Sequence, residues 1–332
     1  MDSMAAYTMG QIHKDAERMI FDWDMAVRLI KMHNASSARA GLNHLDLPSR
    51  FDSGLHWINK KEFKKMPPLD IQKTMDELKT MYQSSPRTRT TNFLLYGDMG
   101  CGKTTMAAET SLRPVLVHSF DPGGAQSIDP ELMMDGTVMV DNRFEEEDPK
   151  KPTAFQLWDT EFHRLKDGGF FNHIGTFVLD SATTWASAAM NVTLKRAGRV
   201  AGVPQQNDYL PTMTMLENAL KTICALPCNV VFTCHQKADK DEITGKIHAT
   251  PLLIGKLTTR IPLLFDEIYR CVAKETSKGT SFSVQTQPCS TYTARTRMGR
   301  KGLFEKFEEP DIKHLLKKAN RSYEDIKGGD SV

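Results

Sequence analysis

The chain has 332 residues, of which 40% are apolar and 25% charged, and these averages exclude a largely disordered or collagen-like protein. Its formal net charge is only +2, so any binding of nucleic acid must come from local basic patches. There is no apolar run long enough for a membrane span, and the start, MDSMAAYTMG, lacks the regions of a signal peptide. Six cysteines are too few for a disulfide scaffold, which favours a reducing, cytoplasmic setting, and without an apolar run no membrane partner is expected.

The first 90 residues follow a helical pattern. Apolar residues at helical spacing predict one helix over about 10–34 and a second beginning near Ile71; they are Ile20, Trp23, Val27 and Ile30, then Ile71, Met75, Leu78 and Tyr82. The stretch SSPRTRTT, 84–91, is polar and basic and contains Pro86, which predicts a linker. We expect a largely helical extension over 1–90, either a cap on the main domain or a docking element.

From residue 92 the pattern changes to short apolar strands separated by helices. The predicted strands are FLLY (93–96), VLVH (115–118), TVMV (137–140), TFVL (176–179) and VVFT (230–233). Phe155, Trp158, Phe162 and Leu165 mark one intervening helix, and 213–226 another. After about 265, IYRCV, SFSVQ and STYTA predict an antiparallel extension. The pattern predicts an α/β core over 91–310 with a mostly parallel sheet, then a C-terminal helix and tail over 311–332.

The strongest motif is GDMGCGKT, 97–104, which satisfies G-x-x-x-x-G-K-[ST] between the strand FLLY and the helical run TTMAAET. Its glycines allow a tight turn whose N–H groups point at phosphate oxygens. Lys103 is expected to reach the β- and γ-phosphates, and Thr104 to bind Mg²⁺. The predicted ATP-binding residues are Gly97, Asp98, Met99, Gly100, Cys101, Gly102, Lys103, Thr104 and Thr105.

Two carboxylates follow strands of the predicted sheet. Asp180 follows the apolar strand TFVL in HIGTFVLDS, where a residue that holds Mg²⁺ together with Thr104 is expected; a helix N-cap is the alternative. Ser181 rather than glutamate follows, so the group that activates water must come from elsewhere. Asp121 lies just beyond VLVH, and parallel strands end at the same edge, so it can face the phosphates and act on water. The alternative for Asp121 is a turn role, because Asp-Pro-Gly-Gly is typical of turns.

A third strand ends in FTCHQK. Gln236 is expected to stand beside Asp180, sense the γ-phosphate and pass its presence to the next loop, with His235 in support. The predicted catalytic residues are therefore Lys103, Asp121, Asp180, His235 and Gln236. A zinc site from Cys224, Cys228, Cys234 and His235 is disfavoured, because their spacing matches no common finger.

These features together resemble the RecA-like ATPase core. VLVHSFDPGG, TFVLDSATTW, NDYLPTMTMLENALKTI and NVVFTCHQK are similar, more narrowly, to the phage-encoded RecA-like ATPases, a family that includes phage single-strand annealing and recombination proteins. The resemblance covers about 92–300. It implies a RecA-like P-loop fold, a homo-oligomeric filament or ring with ATP between subunits, and single-stranded DNA on loops after the third and fourth core strands. RecA proper carries glutamate where Asp121 stands, which implies slow hydrolysis here.

Basic stretches occur where the resemblance implies DNA-binding loops. LKRAGRVAG and KADKDEITGKIHATPLLIGKLTTR are basic, contain glycine and have little regular pattern, which suits tracking of a phosphate backbone. The DNA-binding candidates are Lys195, Arg196, Arg199, Lys237, Lys240, Lys246, Lys256 and Arg260. RTRMGRKG, 295–302, is denser and is expected either to complete a neighbouring subunit's ATP site or to contact DNA. Its candidates are Arg295, Arg297, Arg300 and Lys301.

The expected function is a DNA-stimulated, Mg²⁺-dependent ATPase that acts on single-stranded DNA in phage recombination or replication, in the bacterial host cytoplasm. Its N-terminal region is a candidate docking element for a phage or host replication or recombination protein. One alternative is a nucleotide-controlled annealing or helicase-loading protein with little turnover. The other is a small-molecule or nucleotide kinase, in which the basic loops would form a lid over the acceptor.

Overall fold

The computed structural model describes residues 70–84, 90–240, 242, 245–299 and 302–326. The helix predicted over 10–34 and the candidates Arg300 and Lys301 lie outside the described residues. The helices are α1 (Ile71–Ser84), α2 (Lys103–Glu109), α3 (Pro130–Met134), α4 (Ala154–Asp167), α5 (Ala182–Arg196), α6 (Gln206–Ile223), α7 (Leu257–Arg260) and α8 (Ile312–Lys318). The strands are β1 (Asn92–Gly97), β2 (Val115–Ser119), β3 (Val138–Asp141), β4 (Thr176–Asp180), β5 (Asn229–Lys240), β6 (Ile247–Pro251), β7 (Glu267–Thr276), β8 (Gly279–Gln285) and β9 (Phe307–Glu308).

Within the part of the chain that is described, the nine strands form one sheet. Its order is β3-β2-β4-β5-β1-β7-β8-β9, and β6 pairs with the outer half of β5. The strands from β3 to β7 in this order run parallel to their neighbours. The predicted α/β class with a mostly parallel sheet is confirmed.

The predicted antiparallel extension is correct only in part. Strands β8 and β9 are antiparallel to their neighbours, but β7 runs parallel to β1. STYTA does not form a strand: Tyr292 and Arg295 make isolated bridges to Ala249 and Ile268. The chain crosses from β8 towards β6 at this point, so pairing is limited to single residues.

Apolar side chains cover both faces of the sheet, which is why its strands are continuous apolar runs rather than alternating ones. On one face, Phe177 and Phe232 pack with Trp158 of α4, Trp185 of α5 and Leu220 of α6. On the other face, strand side chains pack with Met106 of α2 and Leu315 of α8; these strand residues include Leu95, Val117, Val178 and Val231. The strand ends that carry polar residues are thereby fixed at one edge.

The two stretches predicted as irregular basic loops are more regular than expected. Lys195 and Arg196 lie in the last turn of α5. Residues 236–240 and 247–251 form an antiparallel hairpin, β5–β6, which we call the basic hairpin. The hairpin was missed because both of its faces carry polar residues, so the sequence shows no apolar alternation.

The predicted helix after Pro68 is confirmed as α1, and the C-terminal helix as α8. The apolar side chains of Met75 and Leu78 on α1 are exposed. The boundaries near residues 90 and 310 stay predictions. Among the described helices, none combines the length and apolar character that crossing a bilayer requires.

Candidate active site

The glycine-rich loop connects the end of β1 to the start of α2. Gly100 and Gly102 adopt positive φ angles of 71° and 79°, which favour glycine. Gly97 is required for space, because a Cβ there would lie 2.6 Å from the carbonyl oxygen of Cys271 on β7 and 2.7 Å from Cys101 Sγ. The loop is therefore shaped both by its own backbone and by the neighbouring strand.

Lys103 is folded into this loop. Its ammonium donates hydrogen bonds to the carbonyl oxygens of Asp98 (2.7 Å) and Gly97 (3.2 Å), and the side chain is 8% exposed. Hydrogen bonding with Cys271, assisted by the nearby Lys103 charge, lowers the pKa of Cys101 to about 6 against the effect of burial. The positive charge of Lys103 is thus held inside the loop, as phosphate binding requires.

Thr104 and Asp180 meet at the edge of the sheet. The Thr104 hydroxyl donates to Asp180 Oδ2 over 2.8 Å, and Thr233 of β5 donates to the other carboxylate oxygen. Burial raises the pKa of Asp180, and these two hydrogen bonds offset the effect only in part. A hydroxyl and a carboxylate at this distance form the oxygen donor set that Mg²⁺ prefers, so the residues fit that ion. The neighbouring Thr105 instead donates to the Ser127 carbonyl oxygen, 3.1 Å away.

Asp121 lies beside this pair and is held by three side chains. Ser181 donates to its Oδ1 over 2.8 Å, Thr184 donates to the same oxygen, and His235 Nε2 lies 3.4 Å from Oδ2. Burial opposes ionisation, but the hydrogen bonds from His235, Thr184 and Ser181 outweigh it and lower the pKa of Asp121. The sequence predicted the positions of Asp121 and His235, but it did not reveal that Thr184 and Ser181 would bind this carboxylate.

Gln236 lies between the glycine-rich loop and β7. Its Nε2 donates to Asp98 Oδ1 over 3.4 Å, and its Oε1 accepts a hydrogen bond of 2.8 Å from Arg270 Nε. Sequence reasoning missed Arg270, which belongs to the apolar run IYRCV. A charged residue inside this apolar run was the signal that could have identified it.

The first group of DNA-binding candidates makes contacts within the chain. Lys195 donates to the Pro152 carbonyl oxygen over 3.2 Å, and Arg196 lies 3.8 Å from Met215 Sδ. Arg199 forms an ion pair with the buried carboxylate of Asp208.

The second group is gathered on and near the basic hairpin. Lys237, Lys240 and Lys246 are exposed there, although Lys237 Nζ also lies 2.8 Å from Asp239. Lys256 and Arg260 follow at α7, where Arg260 pairs with Glu217 over 3.5 Å. The structure therefore brings together the basic residues of the second stretch on and near the hairpin, and all five are exposed.

Arg295 and Arg297 are bound within their own chain. Arg295 donates to the carbonyl oxygens of Pro262 (2.6 Å) and Phe265, and Arg297 donates to Asp266 over 3.1 Å. These contacts place both guanidinium groups at the start of β7 rather than at the glycine-rich loop.

The cysteines considered for zinc do not form a metal site. Cys224, Cys228 and Cys234 are buried as free thiols, and the described residues contain no cluster of three or more metal-ligating side chains.

Comparison with known proteins places this site in a family. The AAA domain family matches residues 89–298, more than half of the chain. A search of curated proteins gave no match.

The solved structures to which the chain is similar are distant. They include the flagellar accessory protein FlaH from Methanocaldococcus jannaschii, with 9% identity over 66% of this chain and 84% of that chain and a TM-score of 0.36. A KaiC-like protein from Pyrococcus horikoshii OT3 has 13% identity over 59% and 78%, with a TM-score of 0.32. An ATPase from the type III secretion system of pathogenic bacteria has 13% identity over 55% and 52%, with a TM-score of 0.36. The family match spans the glycine-rich loop, Asp121, Asp180 and Gln236, and the chain belongs to the AAA domain family, with the site of a P-loop ATPase.

Proposed function

We propose that this ATPase acts on single-stranded DNA and that ATP binding controls its affinity for the DNA. The observation that carries the proposal is the continuity of β5. Thr233, His235 and Gln236 of this strand contact Asp180, Asp121 and Asp98, and the same strand then runs into the basic hairpin. A change at the nucleotide is therefore transmitted along one strand to a surface suited to a phosphate backbone.

The residues have distinct roles in the proposed reaction. Lys103 binds the β- and γ-phosphates, and Thr104 and Asp180 hold Mg²⁺, which neutralises phosphate charge when bound. Asp121 orients the attacking water, and His235 and the two hydroxyl groups fix its carboxylate. Gln236 contacts the γ-phosphate from the start of the hairpin.

The proposed DNA contact uses the exposed lysines of the basic hairpin. Lys237, Lys240 and Lys246 can each neutralise a phosphate, so binding is expected to be independent of sequence and sensitive to salt. Arg199 contributes less, because its charge is already paired with Asp208. The resemblance to phage recombination proteins supports a role in recombination or replication.

The test measures steady-state ATP hydrolysis with and without single-stranded DNA. We expect DNA to stimulate the wild-type protein, Lys103→Ala to abolish hydrolysis, and a Lys237→Ala/Lys240→Ala variant to retain basal hydrolysis but lose the stimulation. Lys150→Ala, which removes an exposed lysine from another loop, is the matched control. Hydrolysis that is indifferent to DNA in the wild-type protein would refute the proposal.

One observation favours a second candidate, a nucleotide-controlled annealing or loading protein with little turnover. Asp121 Oδ1 already accepts two hydrogen bonds, and the lowered pKa makes this carboxylate a weak base. Single-turnover hydrolysis distinguishes the two functions: a motor accelerates with DNA, whereas a switch hydrolyses slowly in both conditions while its DNA affinity still depends on ATP.

A further inference from the structure

Arg270 is a charged residue beside the glycine-rich loop to which the proposed chemistry assigns no role. It lies on β7, where its register partner on β1 is Tyr96, the residue before Gly97. Its side chain contacts two groups: Nε donates to Gln236 Oε1 over 2.8 Å, and the guanidinium carbon lies 3.6 Å from the centre of the Tyr292 ring. Arg270 therefore joins the residue expected to sense the γ-phosphate to a distant segment of the chain.

The contact with Arg270 fixes which way the Gln236 amide points. A guanidinium group can only donate hydrogen bonds, so it must face the amide oxygen of Gln236. The amide nitrogen is then directed to the other side, towards the glycine-rich loop, where it reaches Asp98. Without Arg270, either end of the amide could face the loop, and the oxygen would repel a phosphate.

A phosphate oxygen can replace Asp98 as the acceptor of the hydrogen bond from Gln236. At 3.4 Å this bond is longer than a strong hydrogen bond, and its acceptor is an exposed carboxylate. A γ-phosphate oxygen is an anionic acceptor of the same kind, so it can compete for the amide N–H groups. ADP offers no such oxygen at this position.

The stacking partner, Tyr292, belongs to a segment that contacts the basic hairpin and leads directly into the basic stretch that begins at Arg295. Thr291 accepts a hydrogen bond of 2.7 Å from Ala249 N in the basic hairpin. Further along, Arg295 exchanges two backbone hydrogen bonds with Ile268, at 2.8 and 2.9 Å. A displacement of Arg270 therefore moves the ring that stands between the hairpin and the basic segment after residue 294.

We propose that Arg270 is a positioning residue that holds the Gln236 amide as a donor towards the γ-phosphate. Through its contact with Tyr292, Arg270 also transmits the presence or absence of the γ-phosphate to residues 291–295. The inference rests on the proposed function for the site, because it assumes that ATP and ADP are distinguished there. The inference adds Arg270 as the residue that lets the site distinguish ATP from ADP, and the contact with Tyr292 as the route by which this difference reaches other parts of the chain.

The first test is the ratio of the dissociation constants for ADP and for a non-hydrolysable ATP analogue, measured without DNA. We expect the wild-type protein to bind the analogue about tenfold more tightly, and Arg270→Met to lose this preference while its ADP affinity stays within about twofold of wild type. Gln236→Glu keeps a partner for Arg270 but removes the N–H donors, so it should lose the same preference without loss of folding. Arg164→Met, which removes an exposed arginine from α4, is the control and should change neither constant.

The second test is hydrogen exchange of residues 289–295. In the wild-type protein the analogue, but not ADP, should change the exchange rate of this segment, and Arg270→Met should remove the difference. An ADP-to-analogue ratio that is unchanged in Arg270→Met or in Gln236→Glu would overturn the inference, as would a segment that exchanges alike with both nucleotides. Both tests omit DNA, so they can fail while DNA stimulation succeeds, and the reverse also holds.

Discussion

Asp121 illustrates how neighbouring side chains set the role of a single carboxylate. Its lowered pKa keeps it ionised at neutral pH, and its hydrogen bonds to Ser181 and Thr184 fix its orientation. A fixed carboxylate beside Asp180 suits the proposed role of aligning water.

We predict that Asp121→Asn lowers single-turnover hydrolysis about 100-fold or more, because the amide replaces one acceptor oxygen with an N–H donor and no longer orients the water. The affinity for a fluorescent ATP analogue should change little, since no phosphate contact is removed. Asp129→Asn is the control, because Asp129 caps α3 and asparagine caps a helix equally well. Equal hydrolysis rates in the two variants would exclude a role for Asp121 in the chemical step.

His118 gives a second prediction, which concerns stability. The ring is fully buried against Phe144 and Phe177, at centroid distances of 5.1 and 4.9 Å, and both of its nitrogens lack a hydrogen-bond partner. Burial lowers the pKa of His118 to about 4, although Asp141 and Glu161 act in the opposite direction. The native state therefore keeps this side chain neutral where an unfolded chain would protonate it.

The sign of the pH effect follows from this difference. Below the ordinary pKa of about 6.5 the unfolded state binds the additional proton, so His118 lowers the free energy of unfolding as the pH falls towards about 4. In His118→Phe the free energy of unfolding should fall less steeply with decreasing pH in this range, by up to about 1.4 kcal/mol per pH unit. Urea denaturation at several pH values measures this slope. His163→Phe, which removes an exposed histidine from α4, is the control. A slope that is the same in wild type and His118→Phe contradicts the prediction.

At the scale of elements, β7 is the strand whose position and direction in the sheet could not be predicted from the local sequence. The glycine-rich loop, β1 and α2 are consecutive in sequence, and Asp180 directly ends an apolar run, so their positions follow from local pattern. Arg270 reaches Gln236 only because β7 inserts parallel to β1, a long-range pairing that no local pattern encodes. The same insertion explains why Gly97 has no room for a side chain.

Glu267 of β7 also binds the backbone of the basic segment that begins at Arg295. This buried carboxylate accepts the backbone N–H groups of Arg297 (2.8 Å) and Met298 (2.7 Å), and Tyr269 donates its hydroxyl to the other oxygen. Removing the carboxylate would leave these buried donors without an acceptor, and that costs about 1–3 kcal/mol for each group.

We predict that Glu267→Ala lowers the free energy of unfolding by about 3 kcal/mol or more in urea denaturation, because three donors lose their acceptor. Glu275→Ala, at the exposed end of the same strand, should change it by no more than about 0.5 kcal/mol. The prediction fails if the two variants are equally stable.

At the scale of the whole molecule, the near-zero net charge conceals how the positive charge is divided. The hairpin lysines are exposed, with Lys237 beside Asp239, and Arg295 and Arg297 are bound to carbonyl oxygens and a carboxylate of their own chain. Phosphoryl transfer benefits from an additional cation beside the γ-phosphate, often one supplied by a neighbouring subunit. If the segment 295–301 supplies it, Arg300 and Lys301 become the candidates, because Arg295 and Arg297 are occupied.

This division of charge leads to a complementation experiment. Lys103→Ala removes the phosphate-binding lysine and Arg300→Ala removes the candidate cation, so each variant alone should be nearly inactive. In a head-to-tail assembly of mixed chains, about one quarter of the interfaces combine an intact glycine-rich loop with an intact arginine, and hydrolysis should recover to about that fraction of wild type. Mixing Lys103→Ala with Lys103→Ala/Arg300→Ala should recover none, since no interface then has the lysine. Recovery that is absent from the first mixture would exclude Arg300 as a residue acting across subunits.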